Sequence, residues 1–436
     1  MGRVAIIGAG AMGLAAAHHA LKAGHEVTVF EADRVAGGMA AHFDFSGLSI
    51  ERFYHFVCKA DRPTFDLMEE LGIADRMVWR TTSMGYFIDG RHHRWGDPLA
   101  LLAFPRLGPI SKLRYGLHMF LSTRRTDWSS LENVNAKEWF RKWHGERAYQ
   151  LLWKRLFDLK FFEFADNISA AWIWTRIKRV GTSRASIFRE ELGYIDGGSQ
   201  TLVDALVESI GKRGGTLKLG ARVSEVTSEQ GRVTGLVVDG VAQSFDAVIS
   251  TVPTPFVSLL VPGLSPEAKA RYDAIRNIGV VCVLLKLARP VTRHFWLNVN
   301  DATIDIPGIV EFSNLRQLPD TIVYVPYYMP QTHPKFGRSA EEFVAEAFGY
   351  LQKLNPSLQP RDLLASHVGR LKHAQPVCEP GFLAKIPKVQ TEIEGLQIAD
   401  TCFYYPEDRG ISESVRYGRL MAQAITDPGV WRAENR

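Results

Sequence analysis

Cysteine is scarce in this 436-residue chain: Cys58, Cys282, Cys378 and Cys402 stand far apart, with no Cys-x-x-Cys pair. Their spacing argues against a disulfide scaffold, a structural zinc site and a dithiol redox centre. Long apolar runs are missing too. No stretch approaches the roughly 20 apolar residues of a membrane-spanning helix, and the longest candidate, Val280 to Leu285, reads as a buried strand. The four apolar residues Val4 to Ile7 are too few for a signal-peptide core. Excess charge is small: 52 Lys and Arg face 47 Asp and Glu, and a net +5 does not argue for nucleic acid. Internal repeats and low-complexity tracts are absent. These absences describe a reduced, cytoplasmic chain, and at ~150 residues per domain it has two or three domains.

What is present starts at the N-terminus. Val4 to Ile7 is an unbroken apolar run, the pattern of a central parallel strand buried on both faces. Gly8-Ala9-Gly10-Ala11-Met12-Gly13 follows at once as Gly-x-Gly-x-x-Gly. In such a loop the first glycine permits the tight turn and the second lets a pyrophosphate approach the backbone. The third lets strand and helix pack closely. Leu14 to Lys22 is Ala-rich and helical, so its unpaired N–H groups point at the phosphates, and Gly24 ends it. Val27 to Phe30 is the second strand, and Glu31 at its end can accept both ribose hydroxyls of an adenosine. Dinucleotide binding through this region is the expectation.

Ala32-Asp33-Arg34-Val35-Ala36-Gly37-Gly38-Met39 comes next, and its Gly-Gly pair extends the phosphate cradle. This order of motifs resembles the FAD-binding superfamily of amine oxidases, protoporphyrinogen oxidases, phytoene desaturases and UDP-galactopyranose mutases. Three separated blocks, about a third of the chain, carry the resemblance. In the second, Gly197-Gly198 precedes a helix over Thr201 to Lys212. The resemblance then implies that the strand around Val223 pairs with adenine, and that strands over 232–239 and 246–253, the latter with Thr251, follow. In the third, Gly395 to Asp400 is a strand ending in an acid that the resemblance sets at the ribityl or pyrophosphate portion of FAD. Pro406 to Gly410 leads into a helix, Ile411 to Ile425, with Gly418 inside it. The resemblance puts the start of that helix, Gly410, Ile411 and Ser412, at the flavin. No second Gly-x-Gly-x-x-Gly follows, so electrons come from the substrate or a separate donor.

The implied fold is α/β: a three-layer, Rossmann-like FAD-binding domain of residues 1–55, 193–262 and 391–436, with an inserted α+β substrate domain. The insertion comprises 56–192, mostly helical and rich in aromatics, and 263–390, a mixed sheet with helices. Most aromatics there read as helix packing. Leu99 to Arg125 combines apolar residues with Arg106, Lys112, Arg114, Arg124 and Arg125 and has no acid. It is either a peripheral membrane contact or a core helix with a solvated basic face.

His55, in Glu51-Arg52-Phe53-Tyr54-His55-Phe56, resembles an aromatic-flanked histidine that galactopyranose mutases hold against the flavin, and can move a proton at neutral pH. Glu311 and Asn314 are further candidates, on a strand that puts Glu311 and Ser313 on one face, and so are Tyr404 and Tyr405. No His-Glu-x-x-His or comparable pattern points to a metal. The resemblance implies an FAD-dependent oxidoreductase of dehydrogenase, oxidase or desaturase type, moving a hydride from a small-molecule substrate, lipophilic or lipid-linked among the candidates. Its alternatives are a redox-neutral enzyme on a nucleotide- or lipid-linked sugar and a non-enzymatic escort-type binding protein. Oligomeric state is not legible.

Overall fold

The computed structural model describes residues 2–431. A five-stranded parallel sheet runs Thr216–Leu219, Glu26–Glu31, Arg3–Ile7, Ala247–Ser250, Leu396–Ile398, joining segments far apart in the chain. Val4, Ala5 and Ile6 are fully buried at its centre, as an unbroken apolar run requires of a strand covered on both faces. The helices Ala11–Lys22, Ser199–Lys212 and Ile411–Gln423 pack together on one face. An antiparallel sheet of Val223–Glu229, Arg232–Val238 and Val241–Ser244 lies on the other, which completes three layers. Gly418 is where two helices meet: a Cβ there would stand 2.4 Å from the carbonyl oxygen of Met12.

The second body is a seven-stranded sheet in the order Leu363–Pro376, Asn277–Leu287, Thr321–Met329, Gly308–Glu311, Trp296–Asn300, Met84–Ile88, Arg91–Trp95. All its pairings are antiparallel except Trp296–Asn300 with Met84–Ile88. Residues 56–192 carry strands as well as helices. They supply two strands of this sheet and pair Met77–Thr82 with Arg189–Ile195, a strand that crosses the expected boundary at 192–193. Their helices, including Pro109–Arg124, Ala136–His144, Arg155–Phe161 and Ala170–Thr182, stack aromatic rings: Phe140 lies 4.1 Å from Trp153. No helix among the described residues is long and apolar enough to cross a membrane.

Candidate active site

The glycine loop is held by hydrogen bonds that its own sequence supplies. Glu31 accepts from the backbone N–H of Ala9 at 2.7 Å and of Asp33 at 2.8 Å, so one carboxylate fixes both turns. The N–H of Gly37 donates to the carbonyl of Ala9 at 2.7 Å, docking the Gly-Gly turn on the first loop. Gly37 and Gly38 sit at φ 111° and 57°, and a Cβ on Gly38 would lie 3.3 Å from the Cα of Gly10. Gly10 and Gly13 differ sharply. A Cβ on Gly13 would fall 1.9 Å from the carbonyl oxygen of Gly8, whereas one on Gly10 would meet nothing within 4 Å. The space over Gly10 is open cavity.

That cavity has a volume of about 1250 Å³, above the ~300–1,000 Å³ usual for a single small-molecule site. Gly8, Gly10, Ala11, Met12, Glu31, Ala32, Gly37, Gly38, Met39, Val223, Thr251, Asp400, Gly410, Ile411 and Ser412 all line it. Gly13 does not, because its place is the strand–helix contact. Asp400 takes the N–H of Thr254 at 2.6 Å and of Cys402 at 2.8 Å, one on each carboxylate oxygen, which leaves each oxygen a further lone pair toward the cavity. At the start of helix Ile411–Gln423, Ser412 leaves a buried hydroxyl with no partner.

The catalytic expectations divide. His55 lies in the cavity wall, and its Nδ1 is buried without a hydrogen-bond partner. Burial lowers its pKa to about 4 against the pull of Glu51, so the ring is neutral at physiological pH. Glu311 is outside the cavity, a correction to the sequence reading. The strand ends at Glu311 and residues 312–314 form a 3-10 turn, so the expected alternation stops there. Its carboxylate caps a turn instead, accepting from the N–H of Val291 at 3.2 Å and of Thr292 at 2.7 Å, and burial raises its pKa to about 8. Asn314 likewise donates to the carbonyls of Thr292 and His294. Tyr405 is the second correction. Its hydroxyl is spent on Ser169 at 2.7 Å and Glu132 at 2.5 Å, away from the cavity, and Tyr404 is the one that lines it.

Sequence reasoning missed Lys160, Arg176 and Tyr328 in the far wall of the cavity. A lysine between Phe157 and Phe161 on a helix was the available signal. The stretch 99–125 also differs from a core helix: Leu102, Ile110 and Leu113 point outward at 66%, 75% and 73% exposure. Tyr115, Met119 and Phe120 of helix Pro109–Arg124 line the cavity. His18, His19 and Glu70 bring potential metal ligands together, but Glu70 is engaged by Lys22 and the Nδ1 of His18 by Ser209.

Residues 13–397 match the model of the flavin containing amine oxidoreductase family. The chain belongs to that family. It is 25% identical over 384 residues to the 15-cis-phytoene desaturase of Synechococcus elongatus, covering 81% of this chain and 80% of that protein. Putrescine oxidase has the same fold, with a TM-score of 0.75 at 18% identity over 97% of this chain and 98% of its own. Reduced UDP-galactopyranose mutase superimposes with a TM-score of 0.76 at 17% identity, covering 99% and 97%. This family member is an FAD-dependent oxidoreductase. Its cavity fits the cofactor: open space over Gly10, the Glu31 carboxylate at the strand end, and an unpartnered hydroxyl at a helix start.

Proposed function

We propose that this oxidoreductase takes a hydride from a lipophilic substrate that reaches the cavity from a membrane surface. The observation that carries this reading is one cavity running from the glycine loop to Leu101, Tyr115, Met119 and Phe120, beneath an outward-facing apolar surface. Gly8, Gly10, Glu31, Gly37, Gly38, Val223 and Ser412 would hold the FAD. When bound, FAD supplies the two-electron chemistry, accepting hydride from a substrate carbon. The chain orients the substrate and keeps water away, since Trp95, Trp153, Phe157 and Phe161 wall the remaining space. The neutral ring of His55, with its buried Nδ1 unpartnered, can hydrogen-bond a polar group of the substrate.

Membrane contact is supported by the helix Pro109–Arg124 and the short helix Pro98–Ala103 before it. Leu99, Leu102, Ile110, Leu113, Leu117 and Leu121 are exposed together, and residues 98–126 contain no acid. A monomer surface rarely leaves so many large apolar side chains in water, and Arg124 and Arg125 at the helix end favour anionic lipid. The test is co-sedimentation with phosphatidylglycerol–phosphatidylcholine vesicles. Wild type pellets with them, and the triple variant Ile110→Glu, Leu113→Glu, Leu117→Glu partitions at least ~10-fold less. Its melting temperature is unchanged, because those side chains support no core. Equal partitioning of the two proteins would contradict the reading.

A further inference from the structure

The far wall of the cavity holds more basic side chains than its own acids pair with. Arg179 is clamped by Asp61 through two bonds of 2.9 and 2.7 Å, and Arg176 by Asp408 at 2.7 Å. Lys160 and Arg409 line the same cavity, and neither makes an ion pair among the described residues. The guanidinium of Arg409 donates to the carbonyl of Ala374. The Lys160 Nζ stands 5.3 Å from the centre of the Tyr328 ring and 6.0 Å from that of Phe161. Burial pulls the Lys160 pKa well below that of a free lysine; Arg176 and Arg409 add to this, and Asp408 opposes it.

An unpartnered amide and a pair of phenols stand beside these groups. Gln375 is 1% exposed and lines the cavity, yet its Nε2 has no partner, while its Oε1 reaches Arg176 at 3.5 Å. Burial holds the Tyr54 and Tyr328 phenols protonated, and the two hydroxyls bond each other, which leaves one O–H of the pair for the same space. A buried guanidinium without a counter-ion, an amine held off its charged form and an N–H left unpaired are all costly. An anion with several acceptor oxygens relieves all three at once.

We propose that Lys160, Arg409, Arg176, Gln375 and Tyr328 form a subsite for an anionic group of the substrate, a carboxylate or a phosphate. The apolar part of that molecule lies along Trp153, Phe157, Tyr115 and Met119 of the same cavity. The substrate is thus an amphiphile, its charged head at the Lys160 wall and its tail toward the exposed helix. This inference rests on the lipophilic reading above only for the tail; the head site stands on the unpaired basic side chains and the unpartnered Gln375 amide.

The test uses the full-length, FAD-loaded protein and four probes: dodecyl phosphate, dodecanoate, dodecanol and inorganic phosphate, titrated by calorimetry near neutral pH. One of the two anionic amphiphiles binds at least about tenfold more tightly than dodecanol, and the tighter one tells phosphate from carboxylate. Lys160→Met and Arg409→Gln each cost about tenfold in affinity for that anion and leave dodecanol unchanged. Equal affinity of wild type for anions and dodecanol would overturn the subsite, with the lipophilic reading intact and no variant needed. Inorganic phosphate that binds wild type but not Lys160→Met, with no binding of dodecanol, keeps the subsite and removes the lipophilic tail. If no probe binds, both fall.

Discussion

The two ends of the cavity are built from different materials. At the glycine end the wall is backbone and one carboxylate, supplied by residues 8–12 and 31–39, and its shape follows from where a Cβ is missing. At the far end the wall is side chains drawn from distant segments: Tyr54, Lys160, Arg176, Tyr328 and Arg409. A backbone cradle tolerates a single chemistry, the dinucleotide, because its N–H groups cannot be exchanged by substitution. A side-chain wall can be rewritten residue by residue. The fold therefore fixes the cofactor, and this chain's own residues decide the substrate.

Substitutions on either side of that divide sharpen it. In the cavity wall, His55→Phe is expected to keep its FAD and to lose about tenfold in turnover, the worth of one hydrogen bond to the substrate in a buried site. Unchanged turnover would return His55 to the role of a packing residue. Wild-type turnover shows no step from His55 between about pH 5 and about pH 8, because burial holds its pKa to about 4.

Glu311, outside both ends, provides the smallest effect. Glu311→Gln leaves FAD content and turnover as in wild type, and its signature is in stability. The folded carboxyl titrates at about 8 and a free one at 4.5. The unfolded chain thus ionises first as pH rises, and wild type loses stability across that window. Below both values the difference vanishes. The melting-temperature advantage of the Gln variant over wild type should widen from about pH 5 to about pH 8. A turnover defect at constant FAD content would instead place Glu311 in the chemistry.

The same divide explains what the sequence made legible. Strand, glycine loop, helix and Glu31 are contiguous, and each has a local physical reason, so the cradle was readable down to Gly37 and Gly38. Asp400 and Ser412 entered through resemblance alone, and both line the cavity, where Asp400 also accepts from Thr254 and Cys402. Glu311 misled because strand alternation says which face a residue takes and not what that face meets. Tyr404 and Tyr405 are neighbours, and the turn that sends one to the cavity and the other to Ser169 leaves no periodic trace. Lys160 and Tyr328 come together only when helix Arg155–Phe161 packs on strand Thr321–Met329, a tertiary event. Apolar helix faces look alike whether they meet a core or a lipid surface. That is why residues 99–125 admitted two readings.

The most direct test of the backbone cradle compares Gly10→Val with Gly13→Ala, measuring FAD content from the visible spectrum and folding by circular dichroism. Gly10 has an ordinary φ of −73° and open space where a side chain would go, while Gly13 has the Gly8 carbonyl oxygen 1.9 Å away. Gly10→Val should fold, melt with FAD-free wild type and carry no flavin, and Gly13→Ala should fail to reach the folded state. A Gly10→Val protein as yellow as wild type would contradict the cradle.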